Sequence, residues 1–319
     1  MNKNINFFGL FFLTTNYQKL NFSTTKQASQ ILTYLKCAAY LQKTLKELGH
    51  DFTLLCNKKK IIQKIIDREK INIQLKEINF QTFVPKNIHF SSCHYRVDVF
   101  KHLSNLKNSF SILIDLDVLV VNQYLKLNKK LNYNTGYVHD ISDNFFPAYG
   151  KKYINKKLKV ISSISSLRWY GGDFYGGNSN FFRILYKLSK KYQKNFVKKK
   201  NYLEKMTDEL FLTATINEII TKKLYKIKNV NEIKLFTRYW SINVLHKQKN
   251  FTNLIKNYSF LHLPADKNLL ADFLSKDYSI NKSKNEFELY IYSFKRILIN
   301  KIKLLIPFKL KLIIRKFFL

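Results

Sequence analysis

The sequence predicts an α/β protein with a mostly parallel, doubly wound sheet. Apolar runs of strand length alternate with stretches whose Leu, Ile and Tyr residues recur every three or four positions. The chain has 319 residues, of which 46% are hydrophobic and 15% aromatic. This composition is enough for a sizeable core and excludes intrinsic disorder over most of the chain. Eight Gly and four Pro also exclude collagen-like and low-complexity classes.

The first half carries the clearest alternation. Its opening apolar run, residues 6–16, predicts a buried first strand that ends in a polar turn. The segments that follow are a helix over 26–48, a strand over 51–56, a helix over 58–70, a partly alternating strand over 71–80, a helix over 95–106 and a strongly apolar strand over 109–121. In sheets of this kind, ligands bind beyond the carboxyl ends of the strands.

The second half is less regular. It is predicted to contain a strand and loop over 134–147, a basic connector over 151–159, a glycine-rich segment over 169–178, helices over 179–195 and 208–220, and short strands over 223–227 and 259–263. We expect one domain over residues 1–275, with two halves at about 1–125 and 126–275.

The charge is strongly basic, with 56 Lys and Arg against 21 Asp and Glu and a formal net charge of +35. Nucleic acid, an anionic membrane or phosphorylated substrates would each attract such a protein. The joint abundance of Lys, Asn, Ile, Phe and Tyr also fits the background of an AT-rich genome, so charge alone leaves these interpretations open. Three cysteines, Cys37, Cys56 and Cys93, form no metal-ligand spacing and no disulfide framework, which indicates a reducing, cytoplasmic compartment.

Residues 276–319 are predicted to form a separate basic, amphipathic tail. From residue 295 onward the chain holds no acid, and its basic residues are interleaved with Ile, Leu and Phe. These basic residues are Lys295, Arg296, Lys301, Lys303, Lys309, Lys311, Arg315 and Lys316. The pattern predicts a helical segment that lies on the cytoplasmic face of an anionic membrane. A C-terminal helix packed on the domain is the alternative. No apolar run reaches transmembrane length.

The sharpest local signal is the pair Asp115 and Asp117, at the end of the most apolar strand. Residues two apart point to the same face of an extended chain. Two buried carboxylates side by side are costly unless a cation lies between them. Mg²⁺ and Mn²⁺ favour carboxylate and phosphate oxygens, so the pair predicts a metal that also binds a diphosphate. Carboxylates that reach solvent or cap a turn are the alternative.

Four further segments, together with this strand, resemble nucleotide-sugar glycosyltransferases of the GT-A fold. The closest patterns are family 8, the glycogenin and lipopolysaccharide galactosyltransferase group, and family 6, the histo-blood-group transferases. The resembling segments, spread over roughly residues 10–265, are Thr-Thr-Asn-Tyr at 14–17, Tyr-Arg at 95–96, Ile-Asp-Leu-Asp-Val-Leu-Val at 114–120, Trp-Tyr-Gly-Gly-Asp-Phe-Tyr-Gly-Gly-Asn at 169–178 and Thr-Asp-Glu-Leu at 207–210. The resemblance implies a GT-A catalytic domain that transfers a hexose from a nucleoside-diphosphate sugar, with UDP as the expected nucleotide. It implies that the half at about 1–125 binds the nucleotide and that the half at about 126–275 lies on the acceptor side.

The resemblance also implies roles for individual residues. Asp115, Asp117 and His262 would hold Mn²⁺ or Mg²⁺. The expected nucleotide- and diphosphate-binding residues are Thr15, Asn16, Tyr17, Arg96, Asp115 and Lys267. The sequence departs from the family-8 pattern in two places. His262 and Lys267 are five residues apart with no Gly between them, and Thr15 stands where that family has an acid. A histidine simply satisfied at a strand end is the alternative for His262.

The sugars are expected beside the glycine-rich segment. By resemblance, Glu209 would stabilise or attack an oxocarbenium-like centre, Asp208 would hold donor hydroxyls, and Asp173 would face the sugar. The expected sugar-contacting residues are Trp169, Gly171, Gly172, Gly176 and Gly177. Trp169, Tyr170 and Tyr175 form either an aromatic platform for the sugar or part of the core. Both related families retain the anomeric configuration, so retention is expected.

The acceptor implied is a glycan or glycolipid of surface polysaccharide or lipopolysaccharide synthesis, and no specific nucleic acid is expected. Two other classes stay open. A basic nucleic-acid-binding protein would explain the charge, although no recognisable binding motif accompanies it. A GT-A-like protein that only binds or hydrolyses nucleotide sugars would share the same motifs.

Overall fold

The computed structural model describes residues 5–13, 27–85, 88, 90–164, 168–203, 206–242, 246 and 248–293, with the backbone alone at 27–29. The strands are β1 (Ile5–Phe11), β2 (Asp51–Cys56), β3 (Leu75–Glu77), β4 (Phe110–Ile114), β5 (Val118–Val120), β6 (Gly136–Asp140), β7 (Tyr170–Gly177), β8 (Ile227–Asn229), β9 (Phe236–Arg238) and β10 (Phe260–His262). The helices are α1 (Gln27–Glu47), α2 (Lys59–Arg68), α3 (Arg96–Leu103), α4 (Leu127–Lys130), α5 (Ser142–Tyr149), α6 (Lys151–Ile161), α7 (Ser179–Lys198), α8 (Glu209–Thr221), α9 (Phe251–Asn257), α10 (Lys267–Ser275) and α11 (Ile280–Tyr292).

A seven-stranded sheet forms the centre of the protein, in the order β3-β2-β1-β4-β7-β6-β8. Strands β1 to β4 are parallel to one another, whereas β7 runs antiparallel to both β4 and β6. Phe7 belongs to the core cluster that includes α1, and its neighbour Phe8 to the cluster that includes α3, α7 and α8. Successive strand residues therefore point to opposite faces, each covered by helices. The predicted α/β class is confirmed.

The strand predicted over 109–121 is two strands in different sheets. β4 ends at Ile114, and β5 pairs with β10 in a second sheet of order β5-β10-β9. Between them, the Asp115 N–H donates to the Asp173 carbonyl, and the Asp117 carbonyl accepts from the Leu263 N–H. Both strands are fully buried, so apolar residues continue on either side of the two acids and the sequence does not show the change of sheet.

Two other segments of the second half differ from the prediction. The expected basic connector is the helix α6, which buries Ile154, Leu158 and Ile161 at spacings of four and three residues. The glycine-rich segment is the strand β7, with all eight residues buried. None of its glycines has a positive φ, so they allow close packing and do not form a turn.

Helix α11 falls inside the segment expected to be a tail. Ile280 and Phe287 of this helix are buried in the same core cluster as α1 and β5. The expected boundary at residue 275 is therefore too early, and a tail distinct from the folded body begins no earlier than residue 293. All eight tail cations, from residue 295 onward, lie outside the described residues. Within the described ranges, no helix combines the length and apolar character needed to cross a bilayer.

Candidate active site

A cavity of about 480 Å³ opens where β1 and β4 end. Asp115 and Asp117, which directly follow β4, line it together with His262 from β10. Asp208 and Glu209 line another part of its wall, at the start of α8. The cavity therefore lies beyond the carboxyl ends of the parallel strands, as the predicted topology requires.

Asp115, Asp117 and His262 form a compact cluster. One ligand atom from each lies within 4.8 Å of the other two. Nε2 of His262 is 3.2 Å from Oδ2 of Asp117 and 3.7 Å from Oδ2 of Asp115. Two carboxylates and one imidazole form a donor set suited to a divalent cation. The three residues predicted as metal ligands thus converge, although His262 is 145 residues from Asp117 in the sequence.

Asp173 determines how His262 is turned. Oδ2 of Asp173 is 2.8 Å from Nδ1 of His262, which leaves Nε2 directed toward the carboxylates. A carboxylate behind a ligating histidine is the usual way in which a protein fixes the ring. Asp173 also lies 2.9 Å from Nδ1 of His139 and accepts a 2.7 Å hydrogen bond from Nε of Arg238. Burial raises the pKa of Asp173, but Arg238 and His139 outweigh it and hold the pKa well below its ordinary value.

This position differs from the predicted one. Asp173 was expected to face the sugar, but it is 1% exposed and is not among the residues that line the cavity. It lies behind the wall, where it holds His262, His139 and Arg238 in place.

Lys267 provides fixed positive charge beside the cluster. Its Nζ is 2.6 Å from Oδ2 of Asp117 and donates to the Pro264 carbonyl at 2.7 Å. Burial raises the pKa of Asp117, but Lys267 and then His262 lower it below its ordinary value. Burial lowers the pKa of His262, but Asp117 and Asp173 raise it to about 9. Without a metal, His262 is therefore protonated at neutral pH.

Arg96 connects the metal cluster with Asp208 at the start of α8. Its Nη2 donates to Oδ1 of Asp115 and its Nη1 to Oδ2 of Asp208, both at 2.5 Å. The predicted diphosphate-binding Arg96 is thus engaged by two carboxylates, at the start of α3. Burial is the main effect that raises the pKa of Asp208 to about 6, although Arg96 opposes it.

Glu209 is held by three donors. Nη2 of Arg238 is 2.8 Å from Oε1, and Nε1 of Trp169 donates to Oε2 at 3.2 Å. The Gly172 N–H completes the set at 3.4 Å from Oε1. The sequence does not identify Arg238 as a site residue, because β9 is a three-residue strand with no motif around it. Its local signal is a basic residue directly after the segment Leu-Phe-Thr at 235–237.

The net charge of the site favours a divalent cation. Among the described residues, five carboxylates of the site stand against three permanently cationic side chains, a net charge of −2 once His262 has lost its proton to bind a metal. The carboxylates are Asp115, Asp117, Asp173, Asp208 and Glu209, and the cations are Arg96, Arg238 and Lys267. A buried negative excess is costly in a low-dielectric surrounding. A divalent ion would neutralise it, so the residues present fit such an ion.

The glycines have two separate purposes. A Cβ at Gly171 would lie 2.5 Å from Oδ1 of Asp173, and one at Gly172 would lie 3.0 Å from Nη1 of Arg96. A Cβ at Gly176 would press on Phe174, and one at Gly177 on the Phe181 ring. The first two glycines thus make room for the polar network and the last two for the core. Only Gly172 of these four lines the cavity.

The predicted aromatic platform is not present as expected. Tyr170 and Tyr175 are buried in the core, so the core alternative holds for both. Trp169 is 1% exposed and stacks on Phe145, with ring centroids 4.6 Å apart. The predicted nucleotide-binding residues Thr15, Asn16 and Tyr17 lie outside the described residues.

Comparison with known proteins gives a structural likeness alone. No protein-family model matches the sequence, and no curated protein matches it. Among solved structures, the fold is similar to that of a galactosyltransferase, LgtC, crystallised in complex with donor and acceptor sugar analogues. The likeness has a TM-score of 0.50 at 12% sequence identity and covers 85% of this chain and 95% of that one. It confirms the predicted GT-A fold.

Proposed function

We propose that this protein is a metal-dependent glycosyltransferase that moves a hexose from a nucleoside-diphosphate sugar to a hydroxyl group of an acceptor. The observation that carries the proposal is the cluster of Asp115, Asp117 and His262 beside Lys267, at the carboxyl ends of the strands. The shared fold with a galactosyltransferase bound to donor and acceptor sugar analogues supports it.

The leaving diphosphate would be received by the metal cluster and its neighbouring cation. Asp115, Asp117 and His262 would hold Mn²⁺ or Mg²⁺, which supplies Lewis-acid stabilisation of charge on the phosphate oxygens. Lys267 is fixed in this region by Asp117 and by the Pro264 carbonyl, so its ammonium needs no rearrangement when negative charge develops. Arg96, paired with Asp115, adds a second fixed cation.

Glu209 would act on the sugar. Arg238 and Trp169 orient its carboxylate at the cavity wall, where it either stabilises an oxocarbenium-like centre or attacks it. Asp208, held by Arg96, would accept a hydrogen bond from a donor hydroxyl. Transfer with retention of the anomeric configuration belongs to this proposal, as does UDP as the nucleotide.

The cellular setting is also part of the proposal. We place the enzyme at the cytoplasmic face of an anionic membrane, with a glycan or glycolipid acceptor of surface polysaccharide or lipopolysaccharide synthesis. The acid-free basic composition of residues 295–319 supports the membrane contact.

The test is a thermal-shift screen of UDP, GDP and their sugars, with and without Mn²⁺. A ligand that binds the native state raises its apparent stability. We expect a metal-dependent shift with UDP or its sugars, followed by transfer of the hexose to added glycosides faster than its release to water. A protein that no nucleotide stabilises in the presence of metal would refute the proposal. Release to water with no transfer to any acceptor would favour the hydrolase alternative.

A further inference from the structure

One side of the cavity is built from aromatic rings. We call Phe145, Tyr149, Trp240 and His246 the aromatic wall, since all four line the cavity. The Trp240 and His246 rings are stacked, with centroids 4.3 Å apart and planes 8° apart. The Phe145 and Tyr149 centroids are 4.4 Å apart, and the Tyr149 and His246 centroids 5.7 Å apart. The four rings therefore form one continuous surface.

This wall stays partly exposed. Helix α5 carries Phe145, Phe146 and Tyr149, yet buries none of its residues. Trp240 is half-buried, and its backbone is fixed by Gln248, which donates to the Trp240 carbonyl at 3.0 Å and accepts from its N–H at 2.7 Å. Large aromatic side chains gain most from complete burial, so rings held at a cavity surface indicate a ligand that covers them.

Two contacts connect the wall to Glu209. Arg238, which binds Glu209 at 2.8 Å, has its guanidinium carbon 5.5 Å from the centre of the Trp240 ring. Trp169, the other donor to Glu209, is stacked on Phe145. The aromatic wall is therefore connected to Glu209 through Arg238 and Trp169, the two side chains that donate to this carboxylate.

The metal cluster has a different surrounding. Lys267, which pairs with Asp117, has its Nζ 5.6 Å from the centre of the Tyr34 ring, and Phe11 and Phe12 at the end of β1 line the same cavity. The cavity thus has apolar side chains beside the metal cluster as well as the aromatic wall beside Glu209. Under the proposed function, the apolar side chains beside the metal cluster would face the nucleoside of a donor whose diphosphate is held there, which leaves the aromatic wall for the other substrate.

We propose that the aromatic wall is the acceptor subsite, which binds the apolar face of a pyranose ring and presents one of its hydroxyls to the region of Glu209. The ligand would be a sugar ring that covers Trp240 and Tyr149 with the C–H groups of one face and carries hydroxyls at its edge. A pocket with aromatic walls and a few convergent polar groups recognises such a ligand. This inference rests on the proposed function.

The chain has two tryptophans, and both belong to this site: Trp240 in the wall and Trp169 behind it. Tryptophan fluorescence therefore reports on the subsite without a label. The experiment titrates the full-length protein with methyl β-D-galactopyranoside, methyl β-D-glucopyranoside and lactose, with sorbitol as an open-chain polyol control. Saturation-transfer NMR supplies the sugar affinity for variants that lack Trp240. Calorimetry with UDP and Mn²⁺ measures donor-side binding of the same samples.

The variants are Trp240→Ala, Trp240→Leu and Tyr149→Ala. The matched control is Tyr124→Ala, whose ring is 80% exposed and does not line the cavity. We expect at least one of the three glycosides to bind the wild type. Its dissociation constant should rise about tenfold or more in each of the three wall variants, as it does when a central aromatic contact of a binding site is removed. The control should bind as the wild type does, and UDP with Mn²⁺ should bind all four variants equally well. Trp240→Leu keeps an apolar side chain there, so its folding does not depend on tolerating a cavity.

Each other outcome has a distinct meaning. If UDP and Mn²⁺ bind but no glycoside does, or if the wall variants bind glycoside like the wild type, the subsite is refuted and the proposed function stands. If the wall variants lose UDP binding to the same extent as glycoside binding, the wall is not a separate subsite and the inference is refuted. If glycosides bind and UDP with Mn²⁺ does not, the subsite stands as a sugar site and the proposed function fails.

Discussion

Nδ1 of His262 lies 2.8 Å from Oδ2 of Asp173, and this contact turns Nε2 of the same ring toward Asp117, 3.2 Å away. Asp173 is on β7 of the large sheet and His262 is on β10 of the small one. The contact thus joins the two sheets at the candidate metal site. The Asp173 carboxylate also holds Arg238, which in turn holds Glu209. One buried acid therefore connects both halves of the site.

Asp173→Asn should weaken metal binding without removing any ligand. The amide lacks the charge that offsets Arg238 and His262, so we expect a loss of about 10- to 100-fold in Mn²⁺ affinity, as for other residues behind metal ligands. Calorimetry with Mn²⁺ measures it. Glu218→Gln is the matched control, since Glu218 is likewise buried, at 3% exposure, and is paired with Lys191 and Lys222 away from the metal cluster. Equal Mn²⁺ affinity for both variants would contradict the role given to Asp173.

Asp117→Ala should abolish metal-dependent turnover. The change removes a ligand and leaves Lys267 without the carboxylate 2.6 Å from its Nζ. We expect no measurable Mn²⁺ binding, a transfer rate at the background level, and a folded protein by circular dichroism. Asp98→Asn serves as control, because Asp98 is 5% exposed and accepts a hydrogen bond from the Thr82 N–H outside the cavity. Undiminished activity of Asp117→Ala would eliminate the metal role.

Metal affinity should rise with pH because of His262. A metal binds the neutral imidazole, whereas the pKa of about 9 keeps this ring protonated in the metal-free protein at neutral pH. Between pH 6.5 and 8.5 the neutral fraction, and with it the Mn²⁺ affinity, should therefore increase about tenfold per pH unit. Calorimetry in buffers of different ionisation enthalpy should show release of about one proton per metal bound. His262→Gln should bind Mn²⁺ more weakly and with an affinity that no longer depends on pH in this way. If the Mn²⁺ affinity of this variant still rose with pH, the released proton would come from another group.

The same shift predicts opposite stability trends with and without metal. The pKa of His262 is raised above its ordinary 6.5, so its contribution to metal-free stability is complete below pH 6.5 and is lost as pH rises through about 9. The melting temperature without metal should fall over this range, while the increase caused by Mn²⁺ should grow. A metal-free melting temperature with the same pH profile in wild type and His262→Gln would contradict this assignment.

Gly171→Ala and Gly172→Ala form a matched pair on neighbouring positions of β7. The added methyl at Gly171 would stand 2.5 Å from Oδ1 of Asp173 and 2.9 Å from Nη2 of Arg238, so this buried pair must move. At Gly172 the nearest atoms are 3.0 and 3.1 Å away. We expect Gly171→Ala to lose about 1–3 kcal/mol in the free energy of unfolding, and Gly172→Ala less. Denaturant unfolding measures both, and a larger loss at Gly172 would contradict the packing described.

Removal of residues 294–319 should abolish binding to anionic vesicles. The eight basic residues of this segment each contribute up to about 1 kcal/mol near an anionic surface at low salt. Co-sedimentation with phosphatidylglycerol vesicles, compared with phosphatidylcholine vesicles, measures the effect. The shortened protein should still bind UDP and Mn²⁺. Equal sedimentation of both forms would place the membrane contact elsewhere on this basic protein.

Local sequence signals identified those parts of the site that adjacent residues make. Asp115 and Asp117 stood out because two acids at a spacing of two interrupt an apolar run, and Asp208 and Glu209 because the segment Thr-Asp-Glu-Leu at 207–210 resembles a glycosyltransferase motif. The role of Asp173 could not be read in this way. Its partners Arg238 and His262 are 65 and 89 residues away, and no spacing in the sequence encodes those contacts.

The sequence by itself determined the α/β class, the order of most elements and the acid pair, because hydrophobic period and strand-end chemistry are local properties. Only the tertiary structure decided that the apolar run 109–121 changes sheets and that Arg238 holds Glu209. It also decided that the rings beside the site come from α5 and Trp240, while Tyr170 and Tyr175 belong to the core. Burial and ion pairing at these places depend on strands and helices that are far apart in the chain and meet only once both sheets have formed.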